Sequence, residues 1–300
     1  MQQDHGASAR GGILLVDKPG GLTSHDVVAR ARRALHTRKI GHAGTLDPMA
    51  TGLLVLGVGH STRLLTYVVG LDKTYEATIR LGVTTDSDDA DGTETSRTDA
   101  SATSDDAILD GIRPLTGPIS QVPSTVSAIK VAGRRAYDLA RAGEQVELQA
   151  RDVVVSRFDV LGIRRGDRTI DVDVVVDCSS GTYIRALARD LGAHLGVGGH
   201  LTALRRTRIG PFSVADAVAE VAADAPLLPA AEVAASLLGA FHVTADEARD
   251  LRHGKRLVGA ATRLGTETPA AIDPAGELVG ILGRRGDDVK SLMNMPEEQP

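Results

Sequence analysis

The chain has 300 residues, of which 42% are hydrophobic and 24% are charged, and its net charge is −5. This length and composition are typical of a globular protein with one large domain, or with one large and one small domain. No apolar run approaches the roughly 20 residues that span a bilayer, and the single cysteine, Cys178, excludes an internal disulfide bond and a zinc site made of cysteines. The first ten residues are polar and lack the apolar core of a secretion signal, so we expect a disordered tail at 1–10 and a cytoplasmic protein without membrane contact.

Short apolar runs separated by turn signals mark the elements of the first third of the chain. An apolar run bounded by glycine or proline is typical of a buried strand, and alternation of apolar and polar residues is typical of a half-buried strand. Serine or threonine before an apolar helical pattern is a favourable N-cap. We therefore expect a strand at 12–16, a helix capped by Thr23 or Ser24, a buried strand at 53–58, a short helix capped by Ser61 or Thr62 that ends at Val69, and a half-buried strand at 73–82.

A polar stretch opens the rest of the chain. Residues 84–104 are acidic and rich in serine and threonine, which predicts a solvated loop. Calcium binding of the EF-hand kind is not expected there, because Ser87 and Thr98 stand where that motif needs acids. We then expect a helix from Ser104 to about Leu115, strands at 152–163 and 169–178, a helix that carries Tyr183 and Arg185 in its first turn, a strand at 200–208, an Ala-rich helix and linker at 221–237, and short strands within 240–292.

The order of these elements predicts the fold class. Strands and helices do not alternate strictly, and successive strands are close enough in sequence to pair with their neighbours. This favours an α+β protein with a mostly antiparallel mixed sheet flanked by helices. We expect a large domain at 11–236, a small β-rich domain at 237–292 and a tail at 293–300.

The segment 41–52 combines glycines, a proline and one acid in front of the apolar run at 53–58. The glycines at 41, 44 and 52 allow positive φ angles and the close approach of another molecule to the backbone. Pro48 fixes its own φ and favours an extended conformation at Asp47. A carboxylate on a stiffened loop beside a rigid strand suits chemistry, although a turn without any function shows the same pattern.

The charge of the chain is unevenly distributed. Residues 86–110 hold nine acids against a single basic residue, Arg97, so the rest of the chain is net positive. A polyanion responds to local patches of charge, and the negative total therefore does not exclude RNA binding. The basic residues cluster at Arg30, Arg32, Arg33, Arg38 and Lys39, at Lys130, Arg134 and Arg135, at Arg164, Arg165 and Arg168, and at Arg205, Arg206 and Arg208.

Five short motifs occur in a fixed order along the chain. They are Lys18-Pro19-Gly20 after a strand, Gly41-His42-Ala43-Gly44-Thr45-Leu46-Asp47-Pro48, Lys73-Thr74-Tyr75, Ser179-Ser180-Gly181-Thr182-Tyr183-Ile184-Arg185, and Leu204-Arg205-Arg206. Each is weak alone, but the ordered set is specific. Over residues 11–292 the chain resembles the TruB family of tRNA pseudouridine-55 synthases, and its C-terminal unit resembles a PUA domain.

The resemblance implies an enzyme that acts on tRNA without a cofactor or a metal. The family isomerises one uridine in the T-arm loop: it breaks the N-glycosidic bond, rotates the base and rejoins it through carbon. Asp47 matches the catalytic aspartate, which either attacks the uracil ring or ribose or assists formation of a glycal intermediate. Both routes need the ionised carboxylate, and Arg185 matches the arginine that pairs with it and favours that charged form.

The resemblance also implies the residues that surround the substrate. Tyr75 matches the tyrosine that stacks on the target base and takes part in proton transfer, and Tyr183 and Leu204 match the walls of the pocket. The histidine that matches His42 occupies the space that the flipped base vacates, and Lys18 either contacts phosphate or supports the loop.

RNA-backbone contacts follow from the same resemblance. The segment 118–151 corresponds to an insertion that grips the RNA, and phosphate contacts of this kind position a substrate without reading its bases. We expect a monomer that binds the T-arm loop of tRNA, and we expect the phosphate contacts to include Lys130, Arg134, Arg135, Arg141 and Arg205.

Three other functions share some of these features. A non-catalytic RNA-binding protein or tRNA-folding chaperone on the same fold would keep the basic patches, but it has no need of an ionised acid where RNA phosphates approach. A synthase that uses a guide RNA is less favoured because the chain has no basic tails. A glycosidase needs two carboxylates about 5–10 Å apart, and the matched motifs supply one.

Overall fold

The structure, a computed structural model, describes residues 11–124 and 148–296, together with the backbone of two short strands at 130–131 and 134–135. The described helices are α1 (Ser24–Ala34), α2 (Leu65–Val69), α3 (Asp105–Ile112), α4 (Ile184–His194), α5 (Ala230–Leu238) and α6 (Ala245–Arg252). The described strands are β1 (Gly12–Lys18), β2 (Ile40–Ala43), β3 (Thr51–Val58), β4 (Lys73–Leu81), β5 (Val83–Thr85), β6 (Glu94–Arg97), β7 (Gly117–Gln121), β8 (Lys130–Val131), β9 (Arg134–Arg135), β10 (Arg151–Arg165), β11 (Ile170–Cys178), β12 (Gly199–Ile209), β13 (Phe212–Ser213), β14 (Ala240–His242), β15 (Ala270–Ile272), β16 (Leu278–Arg285) and β17 (Asp288–Asn294).

One large sheet organises the N-terminal part of the chain. In the described residues it has nine strands, with the path β1-β3-β12-β4-β11-β10-β7 and with β2 and β13 paired beside it. Its pairs are antiparallel except for the short parallel contact of β12 with β3. This arrangement, together with the flanking helices and the C-terminal sheet β14-β15-β16-β17, confirms the predicted fold class.

Residue patterning explains why the central strands lie where they do. In β11, Val172, Val174 and Val176 are fully buried, while Asp171, Asp173 and Asp177 of the same strand lie on the opposite face of the sheet. The run in β3 is buried on both faces, and Leu53 has no exposed surface; truncation of such a leucine to alanine costs about 2–5 kcal/mol. The strands that flank the candidate functional residues are therefore buried in the core.

Helices pack against both faces of this sheet. Thr23 caps α1 through a reciprocal capping box with Asp26, a pair of bonds that satisfies two backbone donors at once. In α4, apolar residues recur at helical spacing, and Leu187 and Leu191 pack into the same core as Tyr75 and Leu204. This core places the first turn of α4 against the middle of the sheet.

The C-terminal sheet shares a core with the large one. Leu278 and Ile281 of β16 pack in one cluster with Ile13 and Leu53. The last strand runs to Asn294, two residues beyond the predicted end of the small domain at 292. None of the described helices has the length and apolar character to cross a membrane.

Three predicted segments differ from the structure. The helix expected from Ser61 or Thr62 begins as a 3-10 turn at 59–64, and α2 starts only at Leu65, because Ser61 is buried and caps nothing. The predicted insertion 118–151 starts too early, since 118–121 belong to β7 at the edge of the large sheet. Residues 84–104 are not a simple solvated loop: β5 and β6 form a hairpin there, and the segment between them is partly buried.

Candidate active site

The Asp47 loop, defined as residues 44–50, joins β2 to β3 and carries the candidate catalytic acid. Gly44 and Gly52 have φ angles of +83° and +99°, which L side chains rarely adopt. A Cβ atom at Gly52 would lie 2.2 Å from the carbonyl oxygen of Arg206 on the neighbouring strand β12. Gly41, the third glycine of the segment 41–52, does not have a positive φ.

Backbone contacts hold the Asp47 loop in place. The Ser24 hydroxyl accepts a bond from the Leu46 N–H (2.9 Å) and lies 3.2 Å from the Leu46 carbonyl. The Arg206 guanidinium is almost fully buried and donates to the carbonyls of Gly44 (2.9 Å) and Leu53 (2.8 Å). The loop is thus tied to α1, β3 and β12, so that its carboxylate is presented from a rigid support.

Lys18 lies beneath this loop and does not face solvent. Its Nζ donates to the carbonyls of Pro19 (2.9 Å), Leu22 (2.7 Å) and Pro48 (3.3 Å). Burial lowers the pKa of Lys18 to about 8, and the negative charge of Asp47 opposes that shift. This geometry favours the supporting role that the sequence left open for Lys18, and not a contact with phosphate.

Asp47 and Arg185 form an ion pair across the site. Arg185 Nε lies 3.1 Å from Asp47 Oδ2, and the two side chains are 4% and 36% exposed, respectively. The arginine is therefore buried, whereas the carboxylate still reaches the surface of a pocket. A buried guanidinium of fixed direction can orient a carboxylate that remains accessible.

A second carboxylate, which the sequence reasoning missed, shares the same arginine. Asp89 Oδ2 lies 3.3 Å from Arg185 Nη1, and the Asp89 side chain is 5% exposed. Arg185 Nη1 also donates to the carbonyl of Ser87 at 2.8 Å. We call residues 86–93, which join β5 to β6, the acidic loop; it enters the active site instead of extending into solvent.

The surroundings of Asp47 act on its pKa in opposite directions. Burial raises the pKa of Asp47 above its ordinary value and outweighs the opposing charge of Arg185. Asp89 and Asp91 raise the pKa further, and Lys18 lowers it. Arg185 thus favours the ionised carboxylate, as expected, but desolvation has the larger effect on the pKa of Asp47.

A pocket of about 450 Å³ opens at Asp47. Its volume falls within the range of about 300–1,000 Å³ typical of small-molecule sites. Of the candidate residues from the sequence, the pocket brings together Asp47, Tyr75, Tyr183, Arg185 and Leu204. It is also lined by Lys73 and Arg206, which stood in the sequence motifs without an assigned role.

The pocket walls come from the sheet and from the start of α4. Tyr75 on β4 and Leu204 on β12 are buried, 8% and 7% exposed. Burial raises the pKa of the Tyr75 phenol, and the charge of Arg206 beside it opposes that rise. Burial likewise raises the pKa of the Tyr183 phenol, so both hydroxyls stay protonated at neutral pH.

His42 lies beside the pocket and not in its wall. It sits on β2, two residues before Gly44, and its ring meets that of His25 edge-on at a centroid distance of 5.5 Å. Burial lowers the pKa of His42, so the ring is neutral at pH 7. Within the described part of the chain, its Nδ1 is buried without a hydrogen-bond partner.

Of the residues predicted to contact the RNA backbone, the structure describes the side chain of Arg205. Arg205 is partly exposed and pairs with Asp17 through two bonds of 2.7 and 3.0 Å. Lys130, Arg134 and Arg135 lie on the paired strands β8 and β9, but their side chains and all of Arg141 lie outside the described residues.

Among the residues that are described, no three His, Cys, Asp or Glu side chains are grouped as metal ligands would be.

Comparison with protein-family models covers nearly the whole chain. The model described as TruB family pseudouridylate synthase (N terminal domain) matches residues 32–184. The model for the tRNA pseudouridylate synthase B C-terminal domain matches 185–233, and the model described as tRNA Pseudouridine synthase II, C terminal, matches 239–296.

Relatives and solved structures agree with these matches. A protein of Leifsonia xyli subsp. xyli named tRNA pseudouridine synthase B is 55% identical over 96% of this chain and 97% of its own length. A protein of the same name from Thermobifida fusca is 57% identical over 82% of this chain and 86% of its own. A solved structure described as a Cbf5-Nop10-Gar1 complex superposes with a TM-score of 0.67 at 26% identity, covering 95% of this chain and 79% of the other. The chain therefore belongs to the TruB family and is a pseudouridine synthase.

Proposed function

We propose that the protein converts the uridine at position 55, in the T-arm loop of tRNA, to pseudouridine, with Asp47 as its catalytic residue. One observation carries the proposal: among the described residues that line the pocket, Asp47 is the only acid, and a buried arginine holds its carboxylate at 3.1 Å. Relatives that match nearly the full chain bear the name tRNA pseudouridine synthase B, which supports tRNA as the substrate.

The proposed reaction is an isomerisation within one nucleotide. The bond from N1 to C1′ breaks, the base turns, and C5 bonds to C1′; the proton lost from C5 is balanced by one gained at N1. Asp47 acts in its ionised form, either as a nucleophile toward the ribose or the ring, or as a base on the way to a glycal. Arg185 fixes the direction of the carboxylate in both routes.

The uridine must leave its stack before this chemistry can occur. Extrusion of a base costs a few kcal/mol, because stacking and pairing are lost. In the proposed complex the flipped base lies against Tyr75, with Leu204 as an apolar wall. A protonated phenol and an apolar surface can hold the ring by stacking while the glycosidic bond reaches Asp47.

The rest of the tRNA is held by charge. We propose that the monomer contacts the phosphates through Arg205 and the basic residues of the insertion, and that the β-rich domain at 237–292 is PUA-like and extends the RNA surface. Contacts of this type set the register of the substrate, and no small-molecule cofactor is needed for an internal rearrangement of one nucleotide.

The test is product mapping on a defined tRNA. The purified protein is incubated with an unmodified tRNA transcript, and pseudouridine is located by a chemical label that stops reverse transcription at that base. We expect one new stop, at position 55, and no stop in a matched transcript with cytidine there. Pseudouridine at another position would contradict the substrate assignment, and tRNA binding without any product would favour the non-catalytic RNA-binding protein.

A further inference from the structure

Gln121, the last residue of β7, is bound to the backbone at the entrance of α4. It is 2% exposed, and both ends of its amide are used on one residue. Gln121 Nε2 donates to the Tyr183 carbonyl at 3.0 Å, and the Tyr183 N–H donates to Gln121 Oε1 at 2.8 Å. A buried amide with both groups satisfied on one partner fixes that partner in position and direction.

The Gln121 amide binds α4 at its N-terminus, where the helix has no side-chain cap. Tyr183 is the N-cap residue of α4, and no side chain caps the helix there. Most helices satisfy their first N–H groups with a Ser, Thr, Asp or Asn at this position. Arg185 lies two residues further on, in the first turn, so whatever fixes Tyr183 also fixes the base of the arginine side chain.

A second tie joins the same segments one turn further along α4. Arg189 Nη2 donates to the carbonyl of Val122 at 2.7 Å, and Arg189 Nη1 lies 3.3 Å from Asp88 Oδ2. Asp88 has a φ of +61°, a strained angle for a residue with a side chain, and it directly precedes Asp89. The end of β7 and the acidic loop thus both contact the N-terminal half of α4, on either side of Arg185 along the helix.

We propose that Gln121 is a positioning residue for uridine isomerisation: its amide holds the first turn of α4 so that the Arg185 guanidinium points at the Asp47 carboxylate. Gln121 does not line the pocket and acts only through Tyr183 and Arg185. The inference rests on the proposed function, since it assigns a part of that site.

The test compares Gln121→Met with Ser120→Ala and with the wild type. Methionine keeps the length and volume of glutamine but has no amide, and Ser120 is an exposed neighbour on the same strand. Single-turnover rates of pseudouridine formation are measured between pH 5 and pH 9, with tRNA affinity and melting temperature recorded for each protein. The charged groups that face Asp47 are Arg185 of α4, Lys18 of β1, and Asp89 and Asp91 of the acidic loop.

We expect Gln121→Met to lower the rate constant about 10- to 100-fold, the range associated with small misplacements of catalytic groups, while the affinity for tRNA changes less than threefold. A looser Arg185 stabilises the ionised Asp47 less, so the acid limb of the rate profile moves to higher pH. A purely structural residue would lower the melting temperature without moving that limb. Ser120→Ala is expected to match the wild type.

Arg189→Met provides a second variant if Gln121→Met does not fold. It removes the tie to Val122 and Asp88, and we expect a smaller rate loss with the same direction of shift in the acid limb. A wild-type rate profile in folded Gln121→Met, or in Arg189→Met where the first variant does not fold, would overturn the positioning role. Absence of pseudouridine with the wild-type protein would instead refute the proposed function itself.

Discussion

The two loops that bring a carboxylate to Arg185 are built in opposite ways. The Asp47 loop is short and begins at Gly44, side chains of α1 and β12 bind its backbone, and its carboxylate reaches the pocket. The acidic loop is polar throughout, yet its Asp89 is buried against the far side of the same guanidinium. The Asp47 loop presents its acid to the pocket, and the acidic loop contacts Arg185 from the other side.

This difference shows that charge does not by itself place a segment in solvent. Asp89 can be buried because Arg185 compensates its charge, and the Ser87 carbonyl accepts a further bond from the same guanidinium. Asp47, with the same partner, stays accessible because the pocket opens on its other side. The accessibility of each carboxylate therefore depends on which side of the arginine it occupies.

The largest effect is expected when the planar guanidinium of Arg185 is replaced by an amine. Arg185→Lys keeps the positive charge, but a lysine cannot reach two carboxylates and a carbonyl with fixed geometry. We expect the single-turnover rate of pseudouridine formation to fall about 100-fold or more. Arg113→Lys, a surface arginine paired with Asp110, is the matched control, and an equal loss in both variants would contradict the assignment.

Removing the buried carboxylate tests the acidic loop. Asp89→Asn leaves Arg185 without its second charged partner, and we expect the rate at pH 7 to fall about tenfold. Because Asp89 raises the pKa of Asp47, its removal lowers that pKa, and the ionised form then persists to lower pH. The acid limb of the rate profile is therefore expected to move to lower pH.

The control for this variant is Asp106→Asn, which removes the same charge from the exposed first turn of α3. We expect its rate profile to match that of the wild type. An acid limb that moves upward in Asp89→Asn, or one that does not move, would show that Asp89 has no electrostatic effect on Asp47.

Substitution of Gly52, two residues after the Asp47 loop, tests how this loop is supported by the neighbouring strand. Gly52→Ala places a methyl group 2.2 Å from the Arg206 carbonyl at a φ of +99°. We expect a destabilisation of about 1–3 kcal/mol, measured by chemical denaturation. Gly70→Ala is the control, since its φ is −74° and its surroundings are open; equal stability of the two variants would mean that the loop tolerates the added group.

The smallest expected effect is on the stability of a variant at Asp47, the proposed catalytic residue. The pKa of Asp47 is raised in the folded protein, so its ionised form is less favourable there than in the unfolded chain. Asp47→Asn is therefore expected to melt at or slightly above the wild-type temperature at pH 7. The difference should shrink as the pH falls through the raised pKa of Asp47 toward its ordinary value; a large loss of stability would contradict this.

The sequence alone could predict the parts of the molecule that local patterns encode. The alternation of apolar and polar residues predicted β11, and the apolar run at 53–58 predicted β3. The ordered motifs indicated Asp47, Arg185 and Tyr75, which the structure brings into one pocket. Asp89 could not be predicted in the same way, because a polar, acidic segment has the composition of a solvated loop. Only its contact with a distant arginine explains its burial.

Long-range contacts to backbone atoms were also beyond the reach of the sequence. Gln121 binds the main chain of Tyr183, and Arg206 binds the carbonyls of Gly44 and Leu53. Such contacts depend on the register of the strands and leave no periodic signal. The raised pKa of Asp47 could not be predicted for a related reason, since desolvation depends on the folded pocket and not on the partner residue alone.

The most direct test of the account compares the wild type with Asp47→Asn under conditions where both are saturated with the same tRNA. Asparagine keeps the shape of the side chain but can act neither as a nucleophile nor as a base. We predict equal binding of the tRNA, complete conversion of position 55 by the wild type, and no pseudouridine with Asp47→Asn. Normal product from Asp47→Asn would contradict the catalytic role of Asp47.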